Sequence, residues 1–569
     1  MPDTRVIQLP KVERERVAQA RTELSQTVIS RIVARALVMA FVVGLLLPHV
    51  AQLTLDPQFY RSASFGSPTG RETRDTAQWF ARLRAFNRAM LQKMQAFENS
   101  LADESAIGRH VRPVVQRAMT TWLTAGNAQV ELGNSGWLFY RPDIDHVTGP
   151  GFLSTQHLAR RASMGNTLET TPYPDPRPAL LALRDQLTDR NITLIVMPTP
   201  VKPSVEPDRI AGGYARNRSV TNRSYRRFLD ELDTARIRVF DVTESLTAMR
   251  REGTEMLYLR TDTHWRPETM TRVATDLARV IEASVDLDVT GTEQRYQVTA
   301  ETVTNRGDTE ALLGLGPQSG LFLPETVSIS PVATATGEAW APDQTAEVLL
   351  LGDSFTNVYS LAALGWGQGA GFAEQLSVAL DRPVDRLSQN DDGAGAPRRL
   401  LAAALIRNPT RLAHTRVVVY QFATRELSQG NWHTVHLAPS TNSSALALWA
   451  PTAGDTATVV ATIAAIGTVP RPGTVPYRDH IVAIHLTNID QLAGPEPGAR
   501  RDALVYARSM IDNELTEIAA YRPGDGIQLR LEPWAAVAPE LDGITRAELE
   551  NMALIRAVPW WGTLEVATP

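Results

Sequence analysis

The chain contains no cysteine. That removes thiol nucleophiles, disulfides and thiolate-ligated zinc, and it suits an oxidising compartment. A basic excess is missing too. The 57 Lys and Arg stand against 62 Asp and Glu, a net charge of −5, which gives no electrostatic case for nucleic acid. Histidine is scarce, ten in 569 residues, so acid–base chemistry has few places to reside. Two of the ten, His433 and His436 in "NWHTVH", stand three apart without an acidic partner at ligand spacing. They read as linker or surface residues, and no metal is expected. Internal repeats are absent. With 43% hydrophobic and 21% charged residues the chain is globular, and its length calls for two or three domains.

Long apolar runs are also rare, and one stands out. From Ala36 to Leu55 no residue carries a full charge, long enough for a helix across a bilayer. Lys11, Arg14, Arg16, Arg21, Arg31 and Arg35 precede it, which leaves the N-terminus cytoplasmic by the positive-inside rule. A cleaved signal peptide is the rival, but "LPHVAQL" offers no small-x-small cleavage site. A buried soluble helix is the plainer alternative. The expectation is a basic cytoplasmic tail over 1–35 and an uncleaved anchor over 36–55.

Residues 56–130 read as a helical connector. Trp79, Phe80, Leu83, Phe86, Met90 and Met94 recur at three and four spacing, an amphipathic helix, and Pro113 to Leu123 reads as a second one. "GNSGWLFY" gives a turn and a short aromatic strand. Across 131–435 helices such as "PALLALRDQLTDR" alternate with apolar strands such as "NITLIVMPTP", "AEVLLLGDS" and "RVVVYQF". That predicts an α/β domain, a parallel sheet flanked by helices, with ligands at the carboxyl ends of its strands. From 436 to 569 period-two segments such as "IQLRLEPW" predict a small, mostly β domain, a barrel or sandwich.

"EVLLLGDSF" runs a buried strand into Gly352-Asp353-Ser354. Gly, Asp and Ser are common turn formers, so Ser354 needs a base elsewhere before it counts as a nucleophile. "YLRTDTHWRPETM" supplies one: Asp262 and His264 just before a helix that opens with Pro267. In an extended segment residues i and i+2 point the same way, which would bring the carboxylate to the ring. The competing reading makes Asp262 a helix cap and His264 a half-buried residue satisfied by the backbone.

Together these segments resemble a family. "LLLGDSF" is similar to the first block of SGNH (GDSL-type) hydrolases, where serine follows a strand. Here Asp-x-His precedes the serine, as in the permuted SGNH domains of bacterial polysaccharide O-acetyltransferases of the AlgJ/AlgX type. "GNSGWLFY", "VMPTPVKPSVEPDRI" and "RTDTHW" resemble further segments of that family, over roughly 130–435.

The resemblance implies Ser354 as nucleophile, His264 as base and Asp262 as orienting acid, with no cofactor. Asp353 is given a turn-stabilising role. Asn390 and Gly393 in "LSQNDDGAGAP" are the oxyanion candidates. Lys202, Tyr359 and Arg425 are the substrate-binding candidates, with Glu426 also at the rim; Lys202 could equally be a solvated loop lysine. The expected activity is acetyl transfer to hydroxyls of an exported polysaccharide, with the acetyl group arriving through a membrane-bound O-acyltransferase partner. The expected location is the inner membrane, single-pass, with the catalytic domain periplasmic. Two other readings use the same residues: an acetyl-esterase, and a glycan-binding scaffold with Trp560 and Trp561 as stacking platforms or as core.

Overall fold

Alternating apolar strands and helices build the centre of the molecule, in a computed structural model that describes residues 30–55 and 106–565. Not described within the second range are 164–172, 214–217, 254–255, 289–294, 317–318, 391–392, 438–447 and scattered positions between 471 and 556. The amphipathic stretch from Trp79 to Met94 lies outside the described residues.

A helix runs from Arg31 to Leu55 over the segment read as an anchor, with Leu37, Val38, Met39 and Phe41 exposed along it. Among the described residues no helix is long and apolar enough to cross a membrane. A further helix, Ala106–Leu123, begins well before the predicted start at Pro113. That proline lacks one amide donor, and the helix continues through it.

Residues 113–569 form one compact unit. Its N-terminal part holds a five-stranded sheet: β1 (Thr193–Thr199), β2 (Arg238–Val239), β3 (Val348–Gly352), β4 (Val384–Ser388) and β5 (Val417–Ala423). The order is β4-β3-β5-β1-β2, and every pairing is parallel. Because side chains alternate along a strand, the central strands β1, β3 and β5 each feed two cores. Ile195, Met197, Val348, Leu350, Val417 and Val419 pack with Met270, Val273 and Leu277 of helix Pro267–Glu282 and with Phe372 and Leu376. Leu194, Val196, Leu349, Leu351, Val418 and Tyr420 pack on the other face with Leu180, Leu183, Phe228, Leu401 and Leu405. Both faces are covered, as the near-continuous apolar strands predicted.

The C-terminal part is β-rich. Strands Ala503–Ile511, Trp560–Leu564, Gly526–Pro533, Ala457–Ile466 and His480–Ala493 follow one another in the sheet, and the last pairs back onto the first, closing a ring. Ile527, Leu529 and Leu531 are buried while Gln528 and Arg530 are not, in agreement with the period-two reading. Trp560 and Trp561 are buried as well. They belong to the core and offer no exposed stacking platform.

Candidate active site

The turn after β3 is built by small contacts. A Cβ on Gly352 would lie 2.0 Å from Thr356 Oγ1, so only glycine lets the chain fold back there. Asp353 follows, and its carboxylate accepts from the amides of Phe355 at 2.9 Å and Ala423 at 2.7 Å. It thereby caps the short helix Ser354–Asn357 and ties the end of β3 to the end of β5. Gln421 adds a second tie, accepting from the Asp353 amide and the Thr356 hydroxyl, each at 3.0 Å. Ser354 stands at the carboxyl edge of the sheet as the first residue of that helix.

His264 arrives from the segment before helix Pro267–Glu282. Its Nε2 lies 2.8 Å from Ser354 Oγ, and its Nδ1 lies 2.6 Å from Asp262 Oδ1. The segment is a bend rather than the extended segment expected. Asp262 Oδ1 also accepts from the His264 backbone amide at 3.0 Å, so a side-chain turn brings carboxylate and ring together. Asp262 does not cap the helix, whose N-cap is Arg266 without a side-chain bond. The second Asp262 oxygen accepts from Trp366 Nε1 at 2.8 Å and the Asp308 amide at 2.9 Å. Phe355 packs on the imidazole with ring centres 4.8 Å apart.

These bonds set the electrostatics. Burial pushes the Asp262 carboxyl up, but His264, Trp366 and the Asp308 amide outweigh it and hold the group down at about 2. Burial lowers the basicity of His264; Asp262 opposes this most strongly and Asp308 adds to it, so the ring ends above its ordinary value. A buried anion beside one ring nitrogen thus makes the other a better proton acceptor.

A cavity of about 180 Å³ opens on the serine, with Tyr140, His264, Asp308, Asn390, Gly393 and Arg425 among its lining residues. Arg425 bonds Asp143 at 3.2 Å and lies over the Tyr140 ring. Asn390 and Gly393 are therefore beside the serine, as expected. Asn390 accepts from Asn357 Nδ2 at 2.8 Å and donates to Thr545 Oγ1 at 3.3 Å, while Gly393 packs against Glu426.

Two predicted substrate contacts are corrected. Lys202 is completely buried, and its ammonium donates to the carbonyls of Leu138 at 2.5 Å, Arg260 at 2.8 Å and Asp262 at 3.0 Å. Trp137 and Phe139 cover it, and burial brings its pKa down to about 8. With its three donors used, it braces the Asp262 segment and cannot meet a sugar. Tyr359 is buried too, donating to the Trp265 carbonyl at 2.7 Å.

Asp308 went unnoticed in the sequence. It accepts from the Thr263 amide at 2.8 Å and from the Thr263 hydroxyl, and one of its oxygens lies 3.7 Å from His264 Nδ1. Burial, reinforced by the Asp262 charge, raises its pKa to about 6. The available signal was "RGDTEALL", a second Gly-Asp ahead of a helix. Gly307 has φ +82°, and a Cβ there would lie 2.3 Å from the Thr261 carbonyl oxygen.

The family model described as "SGNH hydrolase-like domain, acetyltransferase AlgX" matches residues 130–424, just over half of the chain. The probable alginate O-acetylase AlgJ of Pseudomonas syringae pv. tomato is 26% identical over 316 residues, spanning 54% of this chain and 71% of the relative. The protein of the same name from Pseudomonas aeruginosa is 27% identical over 311 residues, 53% of this chain and 71% of its own. Among solved structures, the O-acetyltransferase domain of Pseudomonas putida AlgJ aligns with a TM-score of 0.39 at 22% identity, covering 53% of this chain and 93% of that one. Pseudomonas aeruginosa AlgX aligns with a TM-score of 0.36 at 15% identity, covering 71% and 91%.

Proposed function

We propose that this chain, which belongs to the SGNH hydrolase-like domain, acetyltransferase AlgX family, is an O-acetyltransferase acting on hydroxyls of a polysaccharide through a serine acyl-enzyme. The reading is carried by the Asp262–His264–Ser354 relay, with its contacts of 2.6 and 2.8 Å, at the wall of a cavity. His264 Nε2 takes the Ser354 proton as Oγ attacks the carbonyl of an acetyl ester. N–H donors hold the tetrahedral oxyanion, for which the Ser354 amide and Asn390 are the proposed groups. Collapse expels the donor alcohol, protonated by His264, and leaves acetyl-Ser354. A sugar hydroxyl then passes its proton to His264 as its oxygen attacks the acetyl carbon, and Ser354 departs with that proton. One ester is broken and one is formed, with no cofactor consumed.

Arg425 at the cavity wall is the proposed contact for the acceptor. A polysaccharide acceptor is favoured by the relatives named as alginate O-acetylases. On the same reading the acetyl group is handed over by a membrane-bound O-acyltransferase, at an inner membrane held by residues 36–55, with the catalytic half periplasmic. The uncharged run and the exposed apolar side chains of helix Arg31–Leu55 support the anchor; extraction of membranes with alkaline carbonate tests it, and release of the chain would remove it.

Turnover of 4-nitrophenyl acetate with and without an oligosaccharide acceptor tests the activity. Acetylated sugar that forms only with acceptor is the expected product. Acetate as sole product, whatever acceptor is offered, would make the protein an esterase.

A further inference from the structure

Asn390 and Ser354 are placed together by strand register. Ser388 of β4 is the parallel partner of Gly352 of β3, so each residue lies two positions past a matched strand end. The Gln389 amide donates to the Gly352 carbonyl at 3.1 Å, continuing that register into the loop. Beyond this point part of the hold on the loop comes from the β-rich part. Gln389 Nε2 donates to the Arg546 carbonyl at 2.6 Å, and Asn390 Nδ2 donates to Thr545 Oγ1 at 3.3 Å. Both acceptors belong to strand Thr545–Ala547 of the β-rich part, which pairs in parallel with His480–Ala493. Thr545 is buried, and Val475 of the same part lines the cavity at Ser354. On the inner side Asn390 Oδ1 accepts from Asn357, which accepts in turn from the Ser388 hydroxyl at 2.7 Å. The second N–H of the Asn390 amide has no partner among the described residues.

We propose that the β-rich part is a working component of the catalytic site: strand Thr545–Ala547 holds Gln389 and Asn390 so that the remaining Asn390 N–H serves the oxyanion formed at Ser354. Thr545 is the positioning residue. The inference rests on the acyl-transfer reading and gives the C-terminal part a task apart from any affinity for polymer. An oxyanion donor stabilises the developing charge only when it is fixed in advance at hydrogen-bond distance, and the bonds to Arg546 and Thr545 add to the hold that Asn357 has on Asn390.

The test uses the full-length chain and 4-nitrophenyl acetate, with melting temperature followed in parallel. Thr545→Val keeps the shape of the side chain and removes the acceptor. It is expected to lower kcat about ten-fold with KM almost unchanged, against about a hundred-fold for Asn390→Ala, which deletes the donor. Thr545→Ser should restore kcat, and the double variant should be no slower than Asn390→Ala alone. Wild-type kcat in Thr545→Val, or losses that multiply in the double variant, would overturn the inference. If Thr545→Val does not fold, Gln389→Ala removes the other bond to the strand and takes its place in the cycle. Ser354→Ala separates the two levels. Full turnover there sinks the acyl-transfer reading itself, whereas an inactive Ser354→Ala beside an unimpaired Thr545→Val sinks only the role of the strand.

Discussion

Ser354 and Ser428 each lie against a buried histidine ring, Ser354 at 2.8 Å from Nε2 of His264 and Ser428 at 2.6 Å from Nδ1 of His146. By distance alone the second pair is the better one. Their surroundings separate them. His264 has Asp262 on its far nitrogen, whereas among the described residues no carboxylate bonds the His146 ring. Burial lowers the basicity of both rings. At His264 the carboxylates overcome that effect; at His146 Arg425 pushes the same way and the pKa falls to about 3. A ring with so low a proton affinity is a poor general base for a serine. Ser354 also lines the cavity, and Ser428 does not. A short hydrogen bond between serine and histidine therefore says little about nucleophilicity; the charge behind the ring and the space before the hydroxyl decide it.

The comparison breaks most sharply under alanine. Ser354→Ala should lower acetyl-ester turnover by about five orders of magnitude. Ser428→Ala should leave turnover within about two-fold and cost about 1 kcal/mol in denaturant melts, the worth of one buried hydrogen bond. Equal losses in both variants would refute the distinction. Asp262→Asn comes next, because the amide favours the wrong ring tautomer and removes the buried charge. Its kcat should fall about a thousand-fold or more, and activity near wild type would mean that Asp262 only shapes the turn.

The parts legible in the chain were those written locally. Apolar runs marked the strands of the parallel sheet, Gly-Asp-Ser marked a strand end, and Asp-x-His before Pro267 marked a histidine beside a carboxylate. Contacts between distant segments were not legible. Lys202 looks like a loop lysine until Leu138, Arg260 and Asp262 close around it from two other segments. Tyr359 is an apparent rim residue whose hydroxyl is taken by a carbonyl 94 positions away. Asn390 was found by its loop, while its tether lies 155 residues further on, in a part of the chain read as a separate domain. The side-chain turn at Asp262 shows the reverse case: carboxylate and ring meet although the chain does not adopt the extended geometry expected there.

Asp308 sharpens the comparison with the smallest effect, since it separates His264 from His146 by charge alone. Its native pKa of about 6 lies above the roughly 3.9 of an unfolded aspartate. The native state therefore binds the proton more tightly, and unfolding releases it between those values. Stability accordingly falls as pH rises through that window and stays lowered above it. Asp308→Asn has no such proton to lose and keeps an acceptor for the Thr263 amide, so its stability relative to the parent should rise from pH 4 to pH 7, by about 2 kcal/mol. The catalytic consequence has a definite sign as well. Above pH 6 Asp308 is an anion 3.7 Å from His264 Nδ1 and helps the ring keep its proton. Without that charge His264 deprotonates at lower pH, and the acid limb of kcat/KM should shift downward while the plateau changes little. A limb that stays in place, or moves upward, would show that Asp262 alone sets the base and that Asp308 is only a brace for Thr263.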